Sequence, residues 1–200
     1  MGRSGYDDVM AESQPSAQPI HVPWGDRAKG AFTMPGGYDG YFDSLRWTAE
    51  STRDAPPSLS ELAERMVERF DVTNKSARSR VSFLKKVGFL NGEATLYLAD
   101  SVQQWLLNGD PTPLAVRLHH RVRFIGEMLT LLKQPADTNR LHHWANEKYR
   151  MGWQSRIQID TRRGWLQSAG LIEPDRSQGL RLTDAGERYL SLIVVEPPLG

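Results

Sequence analysis

The chain has 200 residues, with 25 Lys and Arg against 24 Asp and Glu and a formal net charge of +1. That length allows one large domain or two small ones, and the absence of cysteine excludes disulfides, thiolate metal sites and a cysteine nucleophile. No apolar stretch approaches membrane-spanning length and the N-terminus lacks the apolar core of a signal peptide, so the expectation is a soluble, cytoplasmic protein without a membrane partner.

Residues 1–36 are rich in Gly, Ser, Pro and Gln with few periodic apolar positions, the composition of a disordered or extended tail. Its charge is near neutral or slightly acidic, which excludes a basic arm for DNA. Trp24 and Phe32 stand out, as side chains able to dock on the folded body or on a protein partner. From Tyr38 the pattern turns helical: Tyr38, Tyr41, Phe42 and Leu45 share one face, and Pro56-Pro57 ends the element. Ser58-Leu-Ser-Glu61 has the form of a capping box opening a second helix with Leu59, Leu62, Ala63, Met66, Val67 and Phe70 inward. After the turn Asp71-Val72-Thr73, a third helix runs from about Asn74 to Val87 with Ala77, Val81 and Leu84 inward, and Gly88 stops it. Phe89-Leu90, Asn91-Gly92 and Thr95–Leu98 read as strand, turn, strand. A further helix covers roughly Asp100 to Leu107, broken by Asn108-Gly109-Asp110-Pro111.

The pattern then repeats. Phe83–Leu90 aligns with Trp165–Ile172 at an offset of 82 residues, and Leu96–Asp100 aligns with Leu180–Asp184 at an offset of 84, so the second hairpin loop is two residues longer. Trp105-Leu106 matches Tyr189-Leu190. Upstream, Leu59, Leu62 and Ala63 pair with Leu141, Trp144 and Ala145, and Phe42 pairs with Phe124. A long connector helix, Leu114 to Lys133, is expected before the second copy, with Leu118, Val122, Ile125, Leu129 and Leu132 on one stripe.

Trp165–Ile172 followed by Leu180-Arg-Leu-Thr-Asp-Ala-Gly186 is similar to the segment in which many bacterial winged-helix regulators end the recognition helix, form the wing and cap the last helix with Thr. The resemblance covers the chain after residue 36 and implies a mainly α fold with small β-hairpin wings (α+β), built from tandem winged-helix domains. The expected division is the tail 1–36, a first unit over 37–111, and a connector helix plus second unit over 112–200. Transcription factors, replication initiators, restriction-system modules and chromosome-organising subunits all use this fold, so it does not set function.

A recognition helix lays its N-terminal part in the major groove. In the first copy that helix is Asn74–Lys86, holding Lys75, Arg78, Arg80, Lys85 and Lys86 and no acidic residue. Arg and Asn read base edges, while Lys and Ser suit phosphates, so Asn74, Lys75, Arg78, Ser79, Arg80, Ser82, Lys85 and Lys86 are the candidate DNA contacts. The matching surface of the second copy holds Ser155, Arg156, Gln158, Thr161, Arg162 and Arg163, with Arg176 and Arg181 on its wing. It also holds Asp160, which would repel a phosphate, and Arg163 stands in the slot of Val81. Basic residues on a helix are often only a solvated face; here the single sign of charge in one helix of a balanced chain favours double-stranded DNA.

Catalytic readings find no support in the sequence. His119-His120, His142-His143 and the His143/Glu147 pair offer no third ligand at persuasive spacing, and zinc takes three or four, so no metal or other cofactor is expected. Nuclease carboxylate–lysine clusters, a phosphate-cradling loop after Gly36-Gly37 and a nucleophile elbow are all lacking. Trp47, Trp105, Trp144 and Trp165 fall at core spacing, whereas Trp153, before the second recognition helix, could stack on a displaced or modified base. The expectation is a non-enzymatic protein that reads or grips duplex DNA, nucleoid-associated, in bacterial regulation or defence against foreign DNA. The alternatives are a protein-interaction adaptor docking through the tail or one winged helix, and a regulator with a small-molecule pocket between the repeats.

Overall fold

A computed structural model describes residues 19–176 and 179–199. Among these, nine helices and two antiparallel two-stranded hairpins make a mainly helical α+β fold, and no helix is long and apolar enough to cross a membrane. In chain order they are α1 (Tyr41–Asp54), α2 (Leu59–Phe70), α3 (Asn74–Lys86), β1 (Leu90–Asn91), β2 (Tyr97–Leu98), α4 (Asp100–Asn108), α5 (Thr112–Arg121), α6 (Gly126–Leu131), α7 (Thr138–Tyr149), α8 (Ile157–Ser168), β3 (Ile172–Asp175), β4 (Gly179–Leu182) and α9 (Asp184–Leu190).

The two copies are built by the same local devices. Ser58 and Asp137 cap α2 and α7 by accepting the backbone N–H three residues on, and in α2 the Glu61 carboxylate returns the bond. Asp71 and Arg150 end those helices in the left-handed region. Gly88 and Gly170 follow α3 and α8 at φ of 75° and 70°, where a side chain is strained. Their neighbours Phe89 and Leu171 then donate back to Leu84 O and Leu166 O at 2.8 and 2.9 Å. The hairpins pair Leu90 with Leu98 and Ile172 with Leu182, which fits a second loop two residues longer.

The caps correct the upstream register. They place α7 79 residues after α2, so Leu62 pairs with Leu141 and Met66 with Ala145, all fully buried. The turn before α8 is three residues longer than the one before α3, and the offset returns to 82 at Ala77 and Ile159. Trp144 is therefore half-buried rather than core, flanked by Arg140 at 4.3 Å and Lys148 at 5.2 Å from its ring.

The expected connector helix from Leu114 to Lys133 is two helices. Between α5 and α6 the backbone turns through Phe124 at φ 65°, and its polar groups are used elsewhere. Arg121 O accepts from Ala28 N at 2.8 Å, Arg123 N donates to Ala28 O at 3.0 Å, and Arg123 O accepts from the Arg162 guanidinium at 2.8 Å. Gly126 N donates to His119 Nδ1 at 3.2 Å. The N–H groups of Arg123 and Gly126 each have one bond to give and spend it outside the i to i−4 ladder, so the helix does not continue through them.

The tail is the larger correction. Residues 1–18 lie outside the described residues, but 19–36 form a strap built into the body, with Arg27, Ala31 and Met34 buried. Its composition hid this because most of its anchors are backbone groups and charges rather than periodic apolar side chains. Arg27 meets Glu127 of α6 at 3.1 Å with both side chains fully buried, and Trp24 lies 5.7 Å from the Tyr149 ring. The strap then crosses α8 and α3 and turns into α1.

One hydrophobic core runs through both copies. At its centre Trp165 of α8, 1% exposed, is surrounded by Tyr41, Phe42, Phe83 and Phe89 of the first copy at ring distances of 5.5 to 6.1 Å. Helices α3 and α8 thus meet through Phe83 and Trp165 inside a shared core.

Candidate nucleic-acid interface

The candidate residues of α3 separate by helical phase. Ala77, Val81 and Leu84 are fully buried, which turns Lys75, Arg78, Ser82 and Lys86 to solvent as one row along the opposite side. Asn74 is exposed at its start and Ser79 half-exposed beside it. Thr73 caps the helix by accepting from Ser76 N at 3.3 Å. Lys75, Arg78 and Lys86 make no ion pair with any described residue, whereas Lys85 turns aside to Glu93 at 3.3 Å.

The row forms one side of a groove of about 640 Å³; its other wall is the strap, through Gly30 and Phe32, and Phe83 lies at its base. No carboxylate lines it. Sequence reasoning found the basic row but missed this wall. Phe32 was legible as an aromatic out of place in a polar segment, but nothing local tied it to α3.

Arg80 does not belong to the row. It is half-buried and donates to Thr33 O at 2.8 Å, to Ser76 Oγ and to Thr33 Oγ1. The Arg80 side chain is a clasp on the strap, which corrects its reading as a DNA contact. Burial lowers its pKa, and the neighbouring Tyr41 partly opposes the shift.

The second copy departs further. Arg162, at the position matching Arg80, is fully buried and donates to Arg123 O, Gln158 O, Gln158 Oε1 and Lys29 O at 2.8 to 2.9 Å. Burial pulls its pKa down to about 9, so it remains a cation near neutrality. Gln158 also accepts from Ala31 N at 3.1 Å, and Thr161, 2% exposed, donates to Ile157 O at 2.7 Å. Arg163 lies over the Tyr38 ring at 4.1 Å and donates to Gln167, since α8 is phased so that Arg162 rather than Arg163 points inward. Gln158, Thr161, Arg162 and Arg163 are thus occupied by the protein's own chain, which corrects their reading as DNA contacts. Gly164, matching the outward Ser82, is covered by the Tyr41 ring.

What remains open on the second copy is its edge. Ser155 and Arg156 are exposed at the start of α8, Arg156 donating to Asn139 at 3.0 Å. On the wing Arg176 is exposed, and Arg181 pairs across the hairpin with Glu173 at 2.5 Å. Trp153 is not a free platform either. Arg162 lies 4.4 Å from its ring centre, Phe124 meets it at 5.7 Å, and Asn146 brackets its backbone N–H and C=O at 2.9 Å each.

His143 and Glu147 do meet, at 3.2 Å, as an exposed pair one helical turn apart. Among the described residues no cluster of three or more His, Cys, Asp or Glu is placed to hold a metal ion. His119 is an interior hydrogen-bonding residue between Gly126 N and Val194 O.

No protein-family model, curated protein or solved structure matches the chain.

Proposed function

We propose that this protein is a nucleic-acid-binding module of two fused winged-helix units, in which the first recognition helix grips duplex DNA and the second holds the assembly together. The observation that carries the reading is the solvent-facing row of Lys75, Arg78, Ser82 and Lys86, without an ion pair to any described residue and along a groove that no described carboxylate lines, in a chain of nearly zero net charge. Such a row matches phosphate oxygens, which fix a protein on the duplex, and Arg78 and Asn74 are the groups able to read base edges. On the second unit Arg156 and Arg176 are also exposed and are further candidate phosphate contacts. The role is binding and positioning, without covalent chemistry of its own. An adaptor reading has less support: of its two expected docking side chains, Trp24 lies against Tyr149 with Arg123 over its ring, while Phe32, although 47% exposed, lines the groove beside the cations of α3.

The test is fluorescence anisotropy of the full chain with random-sequence duplex across a salt series. Three phosphate contacts predict a log–log salt slope of about −2.7, a loss of roughly 40-fold in affinity between about 50 and 200 mM salt. Lys75→Ala with Arg78→Ala, both exposed and so nearly neutral for stability, should bring the slope contributed by this row to about −0.9. Absence of binding at low salt, or unaltered binding by the folded double variant, would overturn the proposal.

A further inference from the structure

Phe32 is 47% exposed, yet its place is fixed. Its own carbonyl accepts from Trp165 Nε1 at 2.9 Å, Ala31 N donates to Gln158, and Thr33 O accepts from Arg80. Its ring touches Phe83 at 5.8 Å, tilted by 48°, and otherwise stands between two openings on α3. On one side is the 640 Å³ groove; on the other is a cleft of about 280 Å³ formed with Thr73, Ser76 and Arg80. An aromatic ring held by its backbone, half in the open and beside unpaired cations, is the combination that stacks a base while the cations take its phosphates. Within an intact duplex the base faces are hidden in the stack, so a ring in this position has no partner unless a nucleotide leaves it.

Accepting α3 as a nucleic-acid surface, we propose that the groove between strap and α3 receives one unpaired nucleotide, its base on Phe32 and its phosphates on Lys75, Arg78 and Lys86. A volume of about 640 Å³ lies in the range of sites that enclose a ligand of nucleotide size. The Asn74 amide and the Ser79 and Ser82 hydroxyls supply both donors and acceptors to a base edge. The preferred ligand is a strand with an extruded or single-stranded base, and a free mononucleotide presents the same chemistry.

Anisotropy at one moderate salt concentration, on the full chain, should compare a perfect duplex, the same duplex with one bulged thymidine, and a single strand of equal length. Thymidine monophosphate serves as competitor. The bulged duplex and single strand should bind at least about 5-fold tighter than the perfect duplex, the lower end of what one base–aromatic stack contributes. Phe32→Leu keeps an apolar contact with Phe83 but has no π-face; it should bring the three ligands within about 2-fold of one another, whereas Phe32→Tyr should keep the preference. Displacement by the mononucleotide without any preference among oligonucleotides would support the groove and assign it to a free nucleotide. Equal affinities with no displacement would overturn this proposal and leave duplex binding standing. Failure to bind any of the ligands would overturn both.

Discussion

His119 makes a sharp test of how the interior is wired. It is fully buried at the end of α5; its Nδ1 accepts from Gly126 N at 3.2 Å and its Nε2–H donates to Val194 O at 3.0 Å. Both nitrogens are thus used by the neutral ring, and a second proton on Nδ1 would face an N–H donor. Burial, followed by the charge of Arg27, takes its pKa down from 6.5 to about 3. In the unfolded chain the ring takes up a proton below pH 6.5, while in the folded protein it does not until about pH 3. The associated stability is therefore complete above pH 6.5 and is lost progressively as the pH falls towards 3. At pH 5 the loss from this one residue is about 2 kcal/mol, from roughly 1.4 kcal/mol for each pH unit below the unfolded pKa. The assay is urea unfolding of the wild type and His119→Asn at about pH 7.5 and pH 5. The advantage of the wild type should shrink by about 2 kcal/mol, or about 1 M in midpoint for an m-value of ~2 kcal/mol/M. Using the difference between the two proteins cancels the titrations common to both, such as those of His120, whose pKa burial also lowers, and Glu127, whose pKa burial raises. An advantage of the same size at both pH values would refute the reasoning.

Two further substitutions probe the strap and the shared core. Arg162→Met leaves Lys29 O and Arg123 O without their donor, so it should cost about 2–4 kcal/mol and speed trypsin cleavage after Lys29 before the body unfolds; an unchanged cleavage rate would count against the clasp. Gly164→Ala would put a Cβ 2.5 Å from the Tyr41 ring, which is 3% exposed and set edge-on to Trp165. Overpacking should outweigh the gain in helix propensity and destabilise by about 1–2 kcal/mol in urea unfolding, whereas a more stable variant would mean that the ring has room to move.

The legible parts of the sequence are those whose signals are local. The Ser58–Glu61 capping box, the glycines after α3 and α8 and the two hairpins follow from a few adjacent residues, and the structure has them where expected. The register of α7 was not legible from its apolar stripe, because an amphipathic helix shifted by three residues presents nearly the same stripe; the caps Ser58 and Asp137 and the length of the following turn separate an offset of 79 from one of 82. The candidate site divides in the same way. The exposed row on α3 follows from helical phase, but the burial of Arg80 and Arg162 depends on carbonyls from residues 47 and 133 positions away in the chain. One usable signal was present: between the two copies the outward Arg78 becomes Asp160, while the inward arginine is kept as Arg80 and Arg162.

That retained pair has a mechanical consequence. Arg80 and Arg162 hold carbonyls of Thr33 and Lys29, four residues apart on one extended segment, so their anchoring points are separated by at most about 14 Å of chain. The strap acts as a spacer bar of fixed length belonging to neither copy, and the copies cannot be respaced or rotated as beads on a string can. The two copies are unequal as a result: the face of α3 carrying Lys75 and Arg78 is exposed, whereas Thr161 and Arg162 of α8 are buried and Arg162 is spent on the strap. Separating the two copies would strip Trp165 from its aromatic neighbours and leave the strap with one of its two arginine clasps, so each copy alone is expected to be less stable than the pair.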